Sequence, residues 1–231
     1  MLAIVYDLEM TVTRKKGQIS EIIEIGAVKV AEEDGRPVII DRFQAFVKPA
    51  YSPKLTKDTI AFTGITQQDI NQASSLQDVI DHFIAWIDTE DYALCSWGQD
   101  DKTQFVKECR MKKIPLYWLR NCNNLQKPIS SLMGRTGNQQ IGLKPALEAL
   151  NIEFVGSQHR AIDDAYNTAL IYTHFADQIE LQRNHTSDHA EYESNLIYQD
   201  THDEDEDDAN NPFASLAMLR FNTVDNGLDR Q

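Results

Sequence analysis

The chain has 231 residues, 42% of them hydrophobic and 25% charged, with a formal net charge of -14. That length suits one domain of ordinary size plus an appendage. It contains no apolar run of the ~20 residues that a membrane span needs. The opening apolar run, Leu2 to Tyr6, meets Asp7 too soon to be a secretory signal, and the three cysteines Cys95, Cys109 and Cys122 lack CxxC spacing. An odd, unpatterned set of thiols fits a reducing compartment, so a cytoplasmic protein with no membrane partner is expected. Twelve acidic residues and three arginines lie from Arg183 onward, a net of -9 against -5 for the rest. An acidic body argues against nucleic acid held by Lys and Arg alone, though not against a substrate held through metal ions.

The first element, Ile4-Val5-Tyr6-Asp7-Leu8-Glu9, is an apolar strand ending in two carboxylates one residue apart. Strand side chains alternate between faces, so Asp7 and Glu9 project together while Leu8 points away. Two carboxylates side by side repel unless a cation sits between them, and hard ions such as Mg2+ prefer oxygen ligands. Glu21 to Val30 and Val38 to Val47 have strand composition around the turn Glu32 to Pro37, which predicts an antiparallel meander. Thr56 and Thr66 are helix N-caps, the latter with Asp69 as a capping box, and they flank Phe62-Thr63-Gly64-Ile65. Ser75 caps a helix whose Val79, Ile80, Phe83, Ile84 and Ile87 share a face.

Tyr92 to Trp97 reads as a buried strand, followed by Gly98-Gln99-Asp100-Asp101 and a helix through Phe105 and Cys109. A carboxylate there occupies the strand end at which open α/β sheets bind ligands. Pro115 is expected to stop the helix, Asn121 to Asn124 to be a loop, Ile141 to Leu150 a short helix, and Arg160 to Ile179 a long one preceded by His159. The fold class is therefore α/β, a mixed β-sheet with flanking α-helices. Residues 1-182 form the predicted domain, and 183-231 an acidic, disordered tail with an apolar patch at 212-219.

Three carboxylate sites thus stand at the ends of elements: Asp7 with Glu9, Asp100 or Asp101, and Asp163 or Asp164 behind His159. Phosphodiester hydrolysis with two metal ions calls for such a set, and an imidazole titrating near neutrality suits removal of a proton from water. His185 and His189 have the i, i+4 spacing of a zinc motif but lack its glutamate, and are discounted.

Asp7-Leu8-Glu9, Ser96-Trp97-Gly98-Gln99-Asp100-Asp101 and His159-Arg160-Ala161-Ile162-Asp163-Asp164, in that order, resemble the motifs of the DEDD-type 3'-5' exonucleases of the histidine subclass. The strand Ile22 to Val28 and Thr63-Gly64-Ile65-Thr66 resemble that family too. The resemblance covers Met1 to about Gln182 and implies a ribonuclease H-like fold. It implies Asp7, Glu9, Asp101 and Asp164 as ligands of two Mg2+ or Mn2+ ions, with His159 as catalytic base. The His-x-Ala-x-x-Asp pattern selects Asp164 and leaves Asp163 as a solvated helix residue. Asp101 is preferred to Asp100 because Phe105 lies four residues on. By the same resemblance Leu8 and Met10 approach the terminal nucleotide, Phe62, Thr63 and Ile65 line its pocket, and Lys144 lies near the site; core packing is the competing reading of Phe62 and Ile65. The implied activity releases nucleoside 5'-monophosphates from single-stranded 3' ends, RNA ahead of DNA. The alternative is a nucleic-acid-binding or regulatory protein on the same fold, with little turnover, acting through its acidic tail. That tail is also the candidate site for a protein partner.

Overall fold

The polypeptide is organised around its first strand, whose buried Ala3 to Tyr6 run leaves no solvated face. The computed structural model describes residues 1-13 and 19-184. The tail with its patch at 212-219, and His185 and His189, lie outside the described residues. Strand β1 (Leu2–Met10) pairs antiparallel with β2 (Ile22–Glu33), which pairs antiparallel with β3 (Arg36–Phe46), giving the expected meander. On its other side β1 runs parallel to β4 (Tyr92–Ser96), and β4 parallel to β5 (Cys122–Asn124). The order is β3-β2-β1-β4-β5 in one mixed sheet.

Strand alternation sorts the core. Ile4, Tyr6 and Leu8 meet Val79, Ile80, Phe83 and Ile87 of α3 (Leu76–Ile87) and Phe105 of α4 (Asp100–Met111) on one face. Ala3 and Val5 meet Ile129 of α5 (Gln126–Leu132), Leu147 of α6 (Leu143–Ala149) and Ala165 and Ala169 of α7 (Ala161–Phe175) on the other. Helix α7 crosses β1 and β2 closely because Ala161, Ala165 and Ala169, four residues apart, are all fully buried and carry only a methyl. Glycine at position 26 completes the approach, since a Cβ there would lie 2.1 Å from the Ile162 amide nitrogen. The two short helices α1 (Lys57–Thr63) and α2 (Gln67–Gln72) start at Thr56 and Thr66, and Thr66 with Asp69 forms the expected capping box.

Four points depart from expectation. Asn121 to Asn124 is not wholly a loop, because Cys122–Asn124 pairs with β4 and extends the sheet; three polar-flanked residues carry no periodicity to read. Helix α5 was unforeseen, its Pro128 sitting in the first turn where a missing N–H costs nothing. Helix α4 stops at Met111, before Pro115, where Lys113 takes a left-handed φ of 57°. The last helix ends at Phe175, followed by a 3-10 turn at Ala176–Gln178.

Candidate active site

Beyond Val5 the pairing of β1 with β4 ends, so the last residues of β1, still paired with β2, have no strand on their other side. The Leu8 amide donates to Asp101 Oδ1 at 3.2 Å, which draws the first turn of α4 to the end of β1. Asp101 is buried and Asp100 exposed, so of the two only Asp101 faces the strand carboxylates. Asp7 and Glu9 share the α7 face with Ala3 and Val5.

The third side of the site is the turn before α7. His159 adopts a φ of 61°, and its amide donates to Asp164 Oδ2 at 2.9 Å. The adjacent Asp163 is not simply solvated: it accepts from the Ser157 amide at 2.8 Å, its carboxylate lying against Gly156. Asn167, buried, donates to the carbonyls of Val155 and Asp163 and accepts from the Val155 amide. The turn is thereby pinned to its helix, and ligand atoms of Glu9, His159 and Asp164 lie within 4.8 Å of one another.

The electrostatics follow from the crowding. Loss of solvent raises the Asp7 carboxyl well above the ordinary range, and the charges of Asp101, Asp164, Glu9 and Glu24 add to that. Burial, then Asp164, Glu24 and Asp101, push Glu9 up to about 8, with Arg160 opposing. Asp101 rises to about 7 through burial, against the stabilising Leu8 amide, and Asp164 to about 6 through burial, against the His159 amide. Four carboxylates that mutually resist ionisation form a site in which a multivalent cation relieves repulsion. Their hard oxygens, with one imidazole at hand, fit divalent ions of the Mg2+ or Mn2+ kind.

Of the residues expected to meet a nucleotide, Phe62 is 53% exposed and stacks on the His159 ring, with centroids 4.0 Å apart. Met10 is partly exposed at the end of β1. The side chains of Leu8, Thr63 and Ile65 are inside. Leu8 turns to the α3 and α4 core, Thr63 donates its hydroxyl to the Thr59 carbonyl, and Ile65 packs on Ile23, Leu55 and Ile70. They can bear on a ligand through backbone or support, not through a side-chain surface. Lys144 is exposed at the start of α6.

Sequence reasoning passed over Glu24. This fully buried carboxylate lies opposite Glu9 on β2 and accepts from Arg160 Nε at 3.2 Å, the Ala161 amide at 3.2 Å and Gln44 Nε2 at 2.7 Å. The available signal was a lone acid inside the apolar run Ile22 to Val28, since a buried charge is rare unless paired.

Comparison with known proteins agrees with this fold. KapD of Bacillus subtilis, a probable 3'-5' exonuclease, is 27% identical over 145 residues, 63% of this chain and 68% of its own length. The 3'-5' exoribonuclease 1 of Mus musculus is 27% identical over 145 residues, 58% of this chain; the match spans only 41% of the mouse protein. The nuclease domain of 3'hExo, a DEDDh family member solved bound to rAMP, has a TM-score of 0.69 and 26% identity, over 79% of this chain and 96% of that one. The sequence profile of the RNase_T family, described as exonuclease, matches residues 4–172, from the strand bearing Asp7 into the helix bearing Asp164, and the chain belongs to that family.

Proposed function

We propose that the chain is a metal-dependent 3'-5' exonuclease that releases nucleoside 5'-monophosphates from single-stranded 3' ends, with RNA preferred to DNA. The observation that carries this reading is the cluster of Glu9, His159 and Asp164, drawn from two separate segments, with Asp7 and Asp101 close enough to act electrostatically on its carboxylates. In it, residues 1-182 are the exonuclease domain and 183-231 an acidic tail open to a protein partner, and the protein works in the cytoplasm, where Cys95, Cys109 and Cys122, all free, stay reduced.

The four carboxylates would hold two divalent ions, Mg2+ or Mn2+, which when bound supply charge for the leaving oxyanion and acidify a water. His159, exposed beside Glu9 and Asp164, is placed to accept a proton from an attacking water. Phe62 offers a ring face to the terminal base and Met10 an apolar edge, with Leu8, Thr63 and Ile65 supporting that wall from behind. A site that must admit a chain terminus against such a wall favours an unpaired 3' end. The rAMP held by the 3'hExo domain supports RNA as the preferred polymer. Among the described residues no helix is long and apolar enough to cross a membrane.

The test is release of mononucleotides from 5'-labelled single strands of RNA and DNA of identical sequence, with and without Mg2+ or Mn2+. Metal-dependent stepwise shortening from the 3' end, faster on RNA and lost in Asp7→Ala and His159→Ala, is expected. Binding without shortening would reject the enzyme reading in favour of a binding protein on this fold.

A further inference from the structure

We propose that Glu24 is a positioning residue for this reaction, a cap supplied by β2 that sets the distance between the Asp7 and Glu9 strand and the His159–Asp164 turn. The proposal rests on the exonuclease reading given above. It starts from a deficiency in α7. The first amides of a helix have no partner within it, and the residue before them ordinarily supplies a side-chain oxygen. Here that residue is Arg160, which has none to give and makes no side-chain cap. Glu24 Oε2 accepts the Ala161 amide instead, from a residue 137 positions away in the chain. The same oxygen accepts Arg160 Nε, and Oε1 accepts Gln44 Nε2.

These bonds explain why a fully buried carboxylate next to Glu9 is not one more ligand in waiting. Its oxygens are occupied by a guanidinium, a backbone amide and a side-chain amide, so they face α7 and β3. The Arg160 guanidinium is in turn placed over the Phe46 ring, 5.5 Å from its centroid. Glu24 is joined to the site on both sides: through register it is the cross-strand neighbour of Glu9, and through Ala161 it holds the helix that begins two residues after His159. Gly26, two residues on and on the same strand face, removes the side chain that would keep α7 away. Attraction at position 24 and absence of bulk at position 26 together define how near Asp164 stands to Glu9.

The experiment compares wild type with Glu24→Gln, Glu24→Ala and Arg160→Met in the full chain, with two readouts. One is kcat and KM on a labelled single-stranded RNA. The other is Mn2+ affinity by isothermal titration, which needs no turnover. The glutamine keeps the shape and one acceptor for Ala161, so Glu24→Gln is expected to lose about 3-fold in kcat. Glu24→Ala is expected to lose about 100-fold in kcat with KM within about 3-fold, and to bind Mn2+ at least 10-fold more weakly. Circular dichroism and melting verify folding; if Glu24→Ala does not fold, Arg160→Met, which removes the partner and leaves Glu24 in place, carries the comparison with the same expected direction. A folded Glu24→Ala or Arg160→Met that melts lower yet keeps wild-type kcat and Mn2+ affinity would overturn the proposal and leave Glu24 a stabilising residue only. Should the wild type release no mononucleotide, the exonuclease reading fails by itself, and the Mn2+ affinities still decide whether Glu24 positions the carboxylates.

Discussion

Replacing Gly26 by alanine tests whether the spacing between β2 and α7 governs activity. The added methyl would stand 2.1 Å from the Ile162 nitrogen and 2.2 Å from the Ala161 carbonyl carbon, where ordinary contact begins at 3.4 Å, so the two backbones must part by about 1.3 Å. Neither obstacle is a flexible side chain that could swing away. Ala161 lies two residues after His159 and three before Asp164, so the separation moves both relative to Glu9, from which they now stand within 4.8 Å. A misplacement of about 1 Å at reacting groups costs on the order of 100-fold in rate, and overpacking a tight contact costs about 1–3 kcal/mol. For a chain of this size that corresponds to a fall in Tm of about 3–10 °C. Gly26→Ala is therefore expected to remain folded by circular dichroism, to melt several degrees lower, and to lose about 100-fold in kcat on a labelled single-stranded RNA. Gly35→Ala is the control. Gly35 has a φ of +74° with nothing within 4 Å of a Cβ, so this substitution strains the backbone of a distant turn without moving α7, and should change Tm but not kcat. Wild-type turnover in Gly26→Ala, or equal loss in both variants, would refute the reasoning.

Other substitutions probe the site one group at a time. Asp101→Asn keeps the Oδ1 that accepts the Leu8 amide but removes the charge, so kcat should fall at least about 100-fold with the fold retained, whereas the exposed Asp100→Asn should stay within about 2-fold. In the metal-free protein Glu9, with a carboxyl raised from 4.5 to about 8, opposes folding by on the order of 4 kcal/mol at about pH 7.5. The sign is fixed by the proton count: below pH 4.5 both states hold the proton, between 4.5 and 8 only the folded state does, and stability falls as pH rises across that window. Thermal melts in a chelating buffer should show this decline, Glu9→Gln should make it shallower while abolishing turnover, with Asp7, Asp101 and Asp164 supplying what remains, and added Mg2+ or Mn2+ should restore wild-type Tm at neutral pH. Phe62→Ala should leave Tm within about 2 °C, because the ring is 53% exposed, and should raise KM for RNA by about 3- to 10-fold through loss of a stacking face worth about 0.5–1.5 kcal/mol.

What could be read from the residues alone was whatever depends on short-range pattern. Period-two alternation placed Asp7 and Glu9 on one face of β1, and threonine and serine at Thr56, Thr66 and Ser75 marked three helix starts that the structure shows. The meander follows from the order of apolar runs and turns, whereas the parallel pairing of β4 with β1 is a finding of the structure within the mixed sheet that was expected. Strand β5 was not legible, because three residues are held as a strand only by their neighbour β4. Thr63 and Ile65 show the same limit in another form: motif resemblance selects positions, whereas burial is decided by Thr59, Ile23, Leu55 and Ile70, which the motif does not include.

Glu24 carries the point further. By composition it is a carboxylate in a strand, much as Glu9 is, and no local pattern separates a group that faces cations from one that caps a helix. The separation lies in the partners: Glu9 is surrounded by Asp164, Glu24 and Asp101 with Arg160 as the opposing charge, while Glu24 takes Arg160, Gln44 and the Ala161 amide directly. The same cation therefore neutralises one acid by contact and eases the other at a distance, leaving Glu9 in need of further positive charge. Removing Arg160 should consequently act on both acids at once, unpairing Glu24 and making ionisation of Glu9 harder still. Arg160→Met should then extend the Glu9 share of the loss of metal-free stability past pH 8, where it ends in wild type, measured as Tm against pH. A constant displacement of the two curves, with the decline ending at the same pH in both, would mean that Arg160 serves Glu24 alone.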